Sequence, residues 1–247
     1  MIESKSNSKI KLIASLSTKK GRRENGKYLI EGSHMVLDAV KYGIVLSEIF
    51  VSESVATEIL PKLSGAMCDI TIVKDAVFNS VAKTENTQGI LAIANIPAEE
   101  PFYAGNRFLV LDHIQDPGNI GTIVRTAAAT GYSEIILIDC VDPFNPKAVR
   151  SSSSGVFFVK FHHMTENQVI DLVKSFDVIA ASAEGENVFE IIELPKRFGL
   201  VIGNEAKGVS EKLRKTCKLV ALPMDERVES LNAAVSASVL MYVLQNR

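Results

Sequence analysis

Cysteine is scarce in this chain. Cys68, Cys140 and Cys217 are the only three in 247 residues. Odd in number and far apart, they fit neither a disulfide framework nor a metal knuckle, so the expectation is reduced thiols in a cytoplasmic protein. Histidine is scarce too, and of the four, His162 and His163 are adjacent, so on a strand they would face opposite ways. No metal site is expected from that pattern. No apolar run reaches the length of a membrane span, and Met1-Ile2-Glu3-Ser4-Lys5 lacks the apolar core of a signal peptide. The common nucleotide fingerprints are missing as well. There is no Gly-x-Gly-x-x-Gly after a strand. Gly203 to Ser210 imitates a phosphate loop but places Val209 where that loop needs a lysine. No serine lies in a Gly-x-Ser-x-Gly elbow, and Ser151-Ser152-Ser153-Ser154-Gly155 reads as a flexible polar turn.

What is present is an ordinary globular balance, with 47% apolar and 23% charged residues and enough length for one large domain or two modest ones. The net charge of −2 excludes a protein coated in phosphate-binding side chains. Its distribution is uneven. Within residues 1–30, Lys5, Lys9, Lys11, Lys19, Lys20, Arg22, Arg23 and Lys27 oppose only Glu3 and Glu24. Such a cluster is either a solvated helix face with a basic loop or the footprint of a polyanion. The crowding of Lys19, Lys20, Arg22 and Arg23 favours a polyanion, because like charges this close repel unless a partner neutralises them.

Short apolar strands alternate with helical stretches along the whole chain, which predicts an α/β protein. Strands are expected at 28–30, 48–51, 70–73 and 90–94, with helices over 33–42 and 54–63. Residues 97–106 contain two prolines and no periodicity and read as a linker. The division is therefore 1–96, a linker 97–106, and 107–247. Beyond the linker, longer apolar runs at 108–111, 135–138, 157–159, 178–180, 200–202 and 219–222 suit strands covered on both faces, hence a mostly parallel sheet. The last helix, roughly 231–245, is apolar nearly all round, and is expected to lie against a second subunit rather than wholly within its own core.

Three segments share one arrangement of apolar strand, polar or small loop, then helix. They are Asp116-Pro117-Gly118-Asn119-Ile120-Gly121…Arg125-Thr126-Ala127, Ile202-Gly203-Asn204-Glu205, and Leu222-Pro223-Met224…Glu229-Ser230-Leu231-Asn232. Ligands of parallel sheets collect beyond the carboxyl ends of the strands, so three such loops predict one composite site. Gly121 and Arg125 are four apart, which lays the guanidinium over the first helical turn, suited to an anion or a hydroxyl.

In order and content these segments resemble motifs 1, 2 and 3 of the SpoU (TrmH) branch of the SPOUT RNA methyltransferases. The stretch Asp142-Pro143-Phe144-Asn145-Pro146-Lys147…Arg150 is similar to an intervening family segment, and Asn7…Lys11 with Tyr28-Leu29-Ile30-Glu31-Gly32 resembles the family's substrate-binding domain. The resemblance implies methyl transfer from S-adenosylmethionine to a ribose 2′-hydroxyl in structured RNA, ribosomal or transfer. It also implies a trefoil knot in the C-terminal sheet and a homodimer. By position it implies that Ile202, Gly203, Leu222, Met224 and Leu231 meet the cofactor. Arg125, Asn119, Glu205, Ser230 and Asn232 would serve catalysis, and Lys19, Lys20, Arg22, Arg23 and Arg150 the RNA. Asn119 is expected to orient Arg125 or the ribose, and Glu205 to hold Arg125 or offset the sulfonium; helix capping is the plain alternative for Asn119, Ser230 and Asn232. Ala206 stands where the family often has glycine, and Asp225-Glu226-Arg227 is more charged than usual. A non-catalytic RNA-binding assembly factor and a base-directed methyltransferase are the competing readings.

Overall fold

A computed structural model describes every residue except Glu85, Ile192, Asn246 and Arg247. The chain begins with α1 (Ser8–Leu16), α2 (Lys19–Asn25), β1 (Lys27–Glu31), α3 (Ser33–Lys41) and β2 (Leu46–Ser52). There follow α4 (Ala56–Ile59), β3 (Asp69–Val73), α5 (Asp75–Phe78) and β4 (Ile90–Asn95). The longer half contains β5 (Arg107–Asp112), α6 (Pro117–Thr130), β6 (Glu134–Ile138), α7 (Pro146–Ser152), β7 (Lys160–His163) and α8 (Glu166–Val173). It closes with β8 (Asp177–Asn187), β9 (Phe198–Ile202), α9 (Glu211–Thr216), β10 (Lys218–Ala221) and α10 (Ala233–Leu244).

Two compact units result. The first is Met1–Ala98 together with Asp142–Phe157. Its sheet runs β1-β4-β2-β3, with β4 antiparallel to both neighbours and β2 parallel to β3. Ile10, Ile13 and Leu16 recur at helical spacing on α1 and are buried with Leu29, Phe50, Phe78 and Leu91, each burial contributing about 1.5–3 kcal/mol. Asp142–Phe157 belongs to this unit by contact, which sequence order alone does not reveal. Arg22 of α2 anchors it: its Nε donates to Asp142 Oδ2 at 2.7 Å and its Nη1 to the Leu16 carbonyl at 3.0 Å. The four serines are not a flexible turn. Ser151 and Ser152 end α7, Ser153 and Ser154 adopt left-handed backbone (φ 44° and 71°), and the buried Ser154 hydroxyl donates to Asp38.

The second unit, Glu99–Val141 with Phe158–Arg247, is a six-stranded, all-parallel sheet in the order β10-β8-β9-β5-β6-β7. Phe108, Val110, Ile136, Ile138, Val178 and Val201 fill its core. The expected strand at 157–159 is displaced: residues 155–157 form a 3-10 turn and the strand starts at Lys160. The linker region has no regular structure, yet from Glu99 onward it is bound to this unit. Glu99 accepts from the His163 amide, and Phe102 packs edge-on against Phe108 and His162. His162 and His163 do face opposite ways, one buried against Glu134, the other exposed.

Candidate active site

The three loops meet in the second unit. β5 ends at the buried Asp112, whose carboxylate contacts His113 Nδ1 at 2.5 Å and accepts the Ser210 amide at 2.7 Å. After His113 (φ 60°) the chain turns into α6. Asp116 caps that helix by accepting the Asn119 amide, Pro117 occupies the first turn, and Gly131 closes the helix with φ 79°.

Asn119 is where the segments join. Its side-chain amide donates to Glu205 Oε1 at 2.9 Å, and its carbonyl accepts from Asn232 Nδ2 at 3.0 Å. Glu205 Oε1 also accepts the Asp116 amide at 3.3 Å. Asn204 donates to the His113 carbonyl at 2.8 Å, and its Oδ1 accepts the amides of Ala206 and Lys207. Asn232 does two jobs, bonding Asn119 while its Oδ1 caps α10 through the amides of Ala234 and Val235. Side chains up to 113 residues apart thus form one hydrogen-bonded chain. Burial on its own would raise the Glu205 pKa. The Asn119 amide and the backbone amides around it outweigh that and hold the carboxyl below its ordinary range, so it is ionised at neutral pH.

Arg125 is placed differently from expectation. It is exposed on α6 and makes no hydrogen bond or ion pair among the described residues. Neither Asn119 nor Glu205 holds it. Asn119 is in the first turn, and six further residues carry Arg125 about 240° round the helix. The guanidinium is presented, not packed.

Beside this junction lies a cleft of about 240 Å³. Ile202, Gly203, Leu222, Met224 and Leu231, which the family resemblance assigns to cofactor, all line it, together with Glu205, Ser230 and Ala181–Ala183. Gly203 has no alternative: a Cβ there would run into the backbone of Gly208 and Val209. The wall is aliphatic and backbone-rich, and the Glu205 and Glu229 carboxylates join it. That combination can hold a flat heteroaromatic ring joined to an aliphatic chain through a cationic sulfonium. No group of three His, Cys, Asp or Glu able to hold a metal occurs among the described residues. Sequence reasoning missed Asp112, Asn204 and the β8 end; an acid closing the run Phe108-Leu109-Val110-Leu111 is the signal that could have found the first.

The basic residues separate. Lys19, Lys20 and Arg23 are exposed on α2, but Arg22 is 2% exposed and locked to Asp142, so it is unavailable to phosphate. Arg150 is partly exposed in the first unit, 3.7 Å from Glu31.

Comparison with known proteins accords with this geometry. Residues 106–242 match the SpoU rRNA Methylase family, and residues 7–92 match the MRM3-like substrate binding domain. The chain belongs to the SpoU rRNA methylase family. A 23S rRNA (guanosine(2553)-2′-O)-methyltransferase of Bacillus subtilis is 35% identical over 99% of this chain and 98% of its own. A 23S rRNA (adenosine(1067)-2′-O)-methyltransferase of Streptomyces azureus is 27% identical over 91% of this chain and 88% of its own. The crystal structure of an AdoMet-bound rRNA methyltransferase from Sinorhizobium meliloti superposes with a TM-score of 0.86 at 26% identity, covering 99% of this chain and 97% of that one. This SpoU family member is accordingly an S-adenosylmethionine-dependent RNA 2′-O-methyltransferase.

Proposed function

We propose that this methyltransferase acts on ribosomal RNA in the cytoplasm, as a homodimer. The observation that carries the site assignment is the bonding of Asn119 to both Glu205 and Asn232 beside the cleft. Ile202, Gly203, Leu222, Met224 and Leu231 hold S-adenosylmethionine, which when bound supplies an electrophilic methyl on a positively charged sulfur. Glu205, ionised at the rim, offsets that charge, and through Asn119 it fixes the start of α6. Ser230 lines the cleft on the side assigned to the ribose, and Asn232 positions Asn119 beside it.

A sugar hydroxyl is a poor nucleophile at neutral pH, so the protein's task is alignment and removal of a proton. Arg125 donates hydrogen bonds to the attacking oxygen and stabilises its developing negative charge. It does not take the proton, because a guanidinium stays protonated in proteins; the hydroxyl proton passes to solvent water as the oxygen–methyl bond forms. Exposed Lys19, Lys20 and Arg23 grip the phosphate backbone, giving affinity without sequence information.

Two further features belong to the proposal. One is the trefoil knot in the C-terminal sheet, which the family resemblance implies. The other is the dimer. α10 buries Ala233, Ala234, Ala237, Leu240, Met241 and Leu244 in its own unit, yet leaves Val235 at 48% and Val239 at 37% exposure on the opposite face. A second copy covering that stripe also lies where Arg125 of α6 is presented, since α6 and α10 pack side by side with Thr126 and Ser238 hydroxyls 2.9 Å apart. The test is methylation of deproteinised ribosomal RNA with labelled donor, followed by nucleoside mass spectrometry. A 2′-O-methylnucleoside is expected; a methyl on a base, or none, overturns the reading.

A further inference from the structure

The loop that joins β9 to α9 contributes more than a wall to the cleft. Asn204 and Gly208 exchange two backbone hydrogen bonds, at 3.0 and 2.9 Å, which close the chain into a tight turn. Within it, Asn204 Oδ1 accepts the amides of Ala206 and Lys207, and Asn204 Nδ2 ties the turn to the His113 carbonyl at the end of β5. Gly208 has φ 67°, a backbone that an ordinary side chain would strain. Ala206 and Gly208 line the cleft, whereas Lys207 between them does not and is exposed to solvent. A pinned turn therefore carries one ammonium group at the mouth of the cleft.

The charge of that group is uncommitted. Six cations lie between Gly203 and Asn232, and five of them are spent in ion pairs. Lys212 pairs with Glu166 and Lys218 with Glu186, both at 2.9 Å, and Arg227 with Asp225 at 2.8 Å. Arg214 pairs with Glu184 and Lys215 with Glu211, both at 2.5 Å. Lys207 is the sixth, and among the described residues it has no side-chain hydrogen bond or ion pair. Glu205, two residues away, does not neutralise it, because that carboxylate is bonded to Asn119 and Asp116.

The chemistry of the cleft says what such a cation meets. Glu205 and Glu229 place carboxylates on its wall, which suit a sulfonium but repel the phosphates that flank a ribose brought to it. An ammonium at the mouth offsets that repulsion, and lysine binds phosphate as a compact point charge. The donor's own carboxylate is the competing anion. Lys207 is outside the lining that holds the donor, so the anion within its reach is one that arrives from solvent. We propose that Lys207 anchors a backbone phosphate of the substrate RNA at the mouth of the cleft. Contacts of this kind fix register and carry no sequence information. The inference rests on the RNA methyltransferase reading above.

The test is filter binding of deproteinised ribosomal RNA to the full-length protein over a range of salt concentrations. Methyl-transfer kinetics and calorimetric titration with S-adenosylmethionine are run on the same samples. Lys207→Ala should raise the KM for RNA about fivefold, near the upper end for an exposed ion pair, with kcat and donor affinity little changed. The slope of log affinity against log salt should flatten by about 0.7–0.9, the counterions of one phosphate. Lys207→Arg should restore both, because a phosphate contact of this kind needs only a cation. Lys215→Ala, which removes an exposed lysine already paired on α9, should change neither. Weaker donor binding in Lys207→Ala overturns the assignment in favour of the donor carboxylate. An unchanged salt slope, or an equal effect of Lys215→Ala, overturns it outright. Absence of ribose methylation by the wild-type protein refutes the activity itself and is scored separately from the salt slope, which decides Lys207.

Discussion

In the proposed mechanism Arg125 and Glu205 divide the work at the level of single residues. Glu205 is bonded to Asn119 and Asp116; Arg125 is bonded to nothing described. Removing an unpartnered exposed side chain costs the fold little, so Arg125→Ala should abolish turnover with donor affinity and melting temperature nearly unchanged. Radiolabelled methyl transfer and calorimetric titration with S-adenosylmethionine check this, and normal turnover would remove Arg125 from the mechanism. Glu205→Gln keeps the shape but loses the charge of an accepting group, an effect of about 1.5–3 kcal/mol for a charged hydrogen bond. Methyl transfer should therefore fall by roughly 10- to 100-fold. The pH dependence follows from the sign of the shift. Because the folded-state pKa is depressed, the charged contacts are fully present above the ordinary carboxylate value and are lost as pH falls through the folded one. Donor affinity should hold steady from neutrality down through the ordinary carboxylate range and decline only below it, and the decline should be blunted in Glu205→Gln.

Elements were legible where their patterns are local. Apolar runs marked β5, β6 and β9 within a residue or two, and the loops after β5 and β9 were visible as polar breaks following them. β8 runs to Asn187, well past Ala180, because Ala181–Asn187 is a small and polar extension whose strand character comes from pairing with β10 and not from an apolar run. The start of β7 was misplaced because two left-handed serines redirect the chain into a 3-10 turn. Arg22 shows the limit most clearly. In sequence it is one of four crowded cations; in the fold its partner is 120 residues away, and no local pattern distinguishes it from Arg23. The two must therefore respond differently. Leaving Asp142 without its buried partner costs about 3–5 kcal/mol, so Arg22→Ala should lower the melting temperature by many degrees. Arg23→Ala should leave stability unchanged while weakening RNA binding and flattening its salt dependence. Thermal denaturation and filter binding at two salt concentrations separate these outcomes, and equal melting temperatures would contradict the buried pairing.

For the whole molecule the question is why a nearly uniform apolar helix ends the chain. A helix apolar on every side is stable in water only if each side is covered. The core-facing side of α10 is covered by its own unit, with Ala237 and Met241 fully buried. The side bearing Val235 and Val239 is not. In the proposed dimer that side is the interface, and it brings the presented Arg125 into a composite site. Oligomeric state and catalysis are then linked: a charge on the stripe should separate the copies and silence the enzyme together, although both residues lie outside the cleft lining. Val235→Asp with Val239→Asp is expected to halve the mass seen by light scattering at micromolar concentration and to reduce methyl transfer by at least tenfold, with the monomer still folded by circular dichroism. A monomeric variant that retained full activity would show that each copy completes its own site, and would uncouple the exposed face of α10 from the chemistry at Arg125.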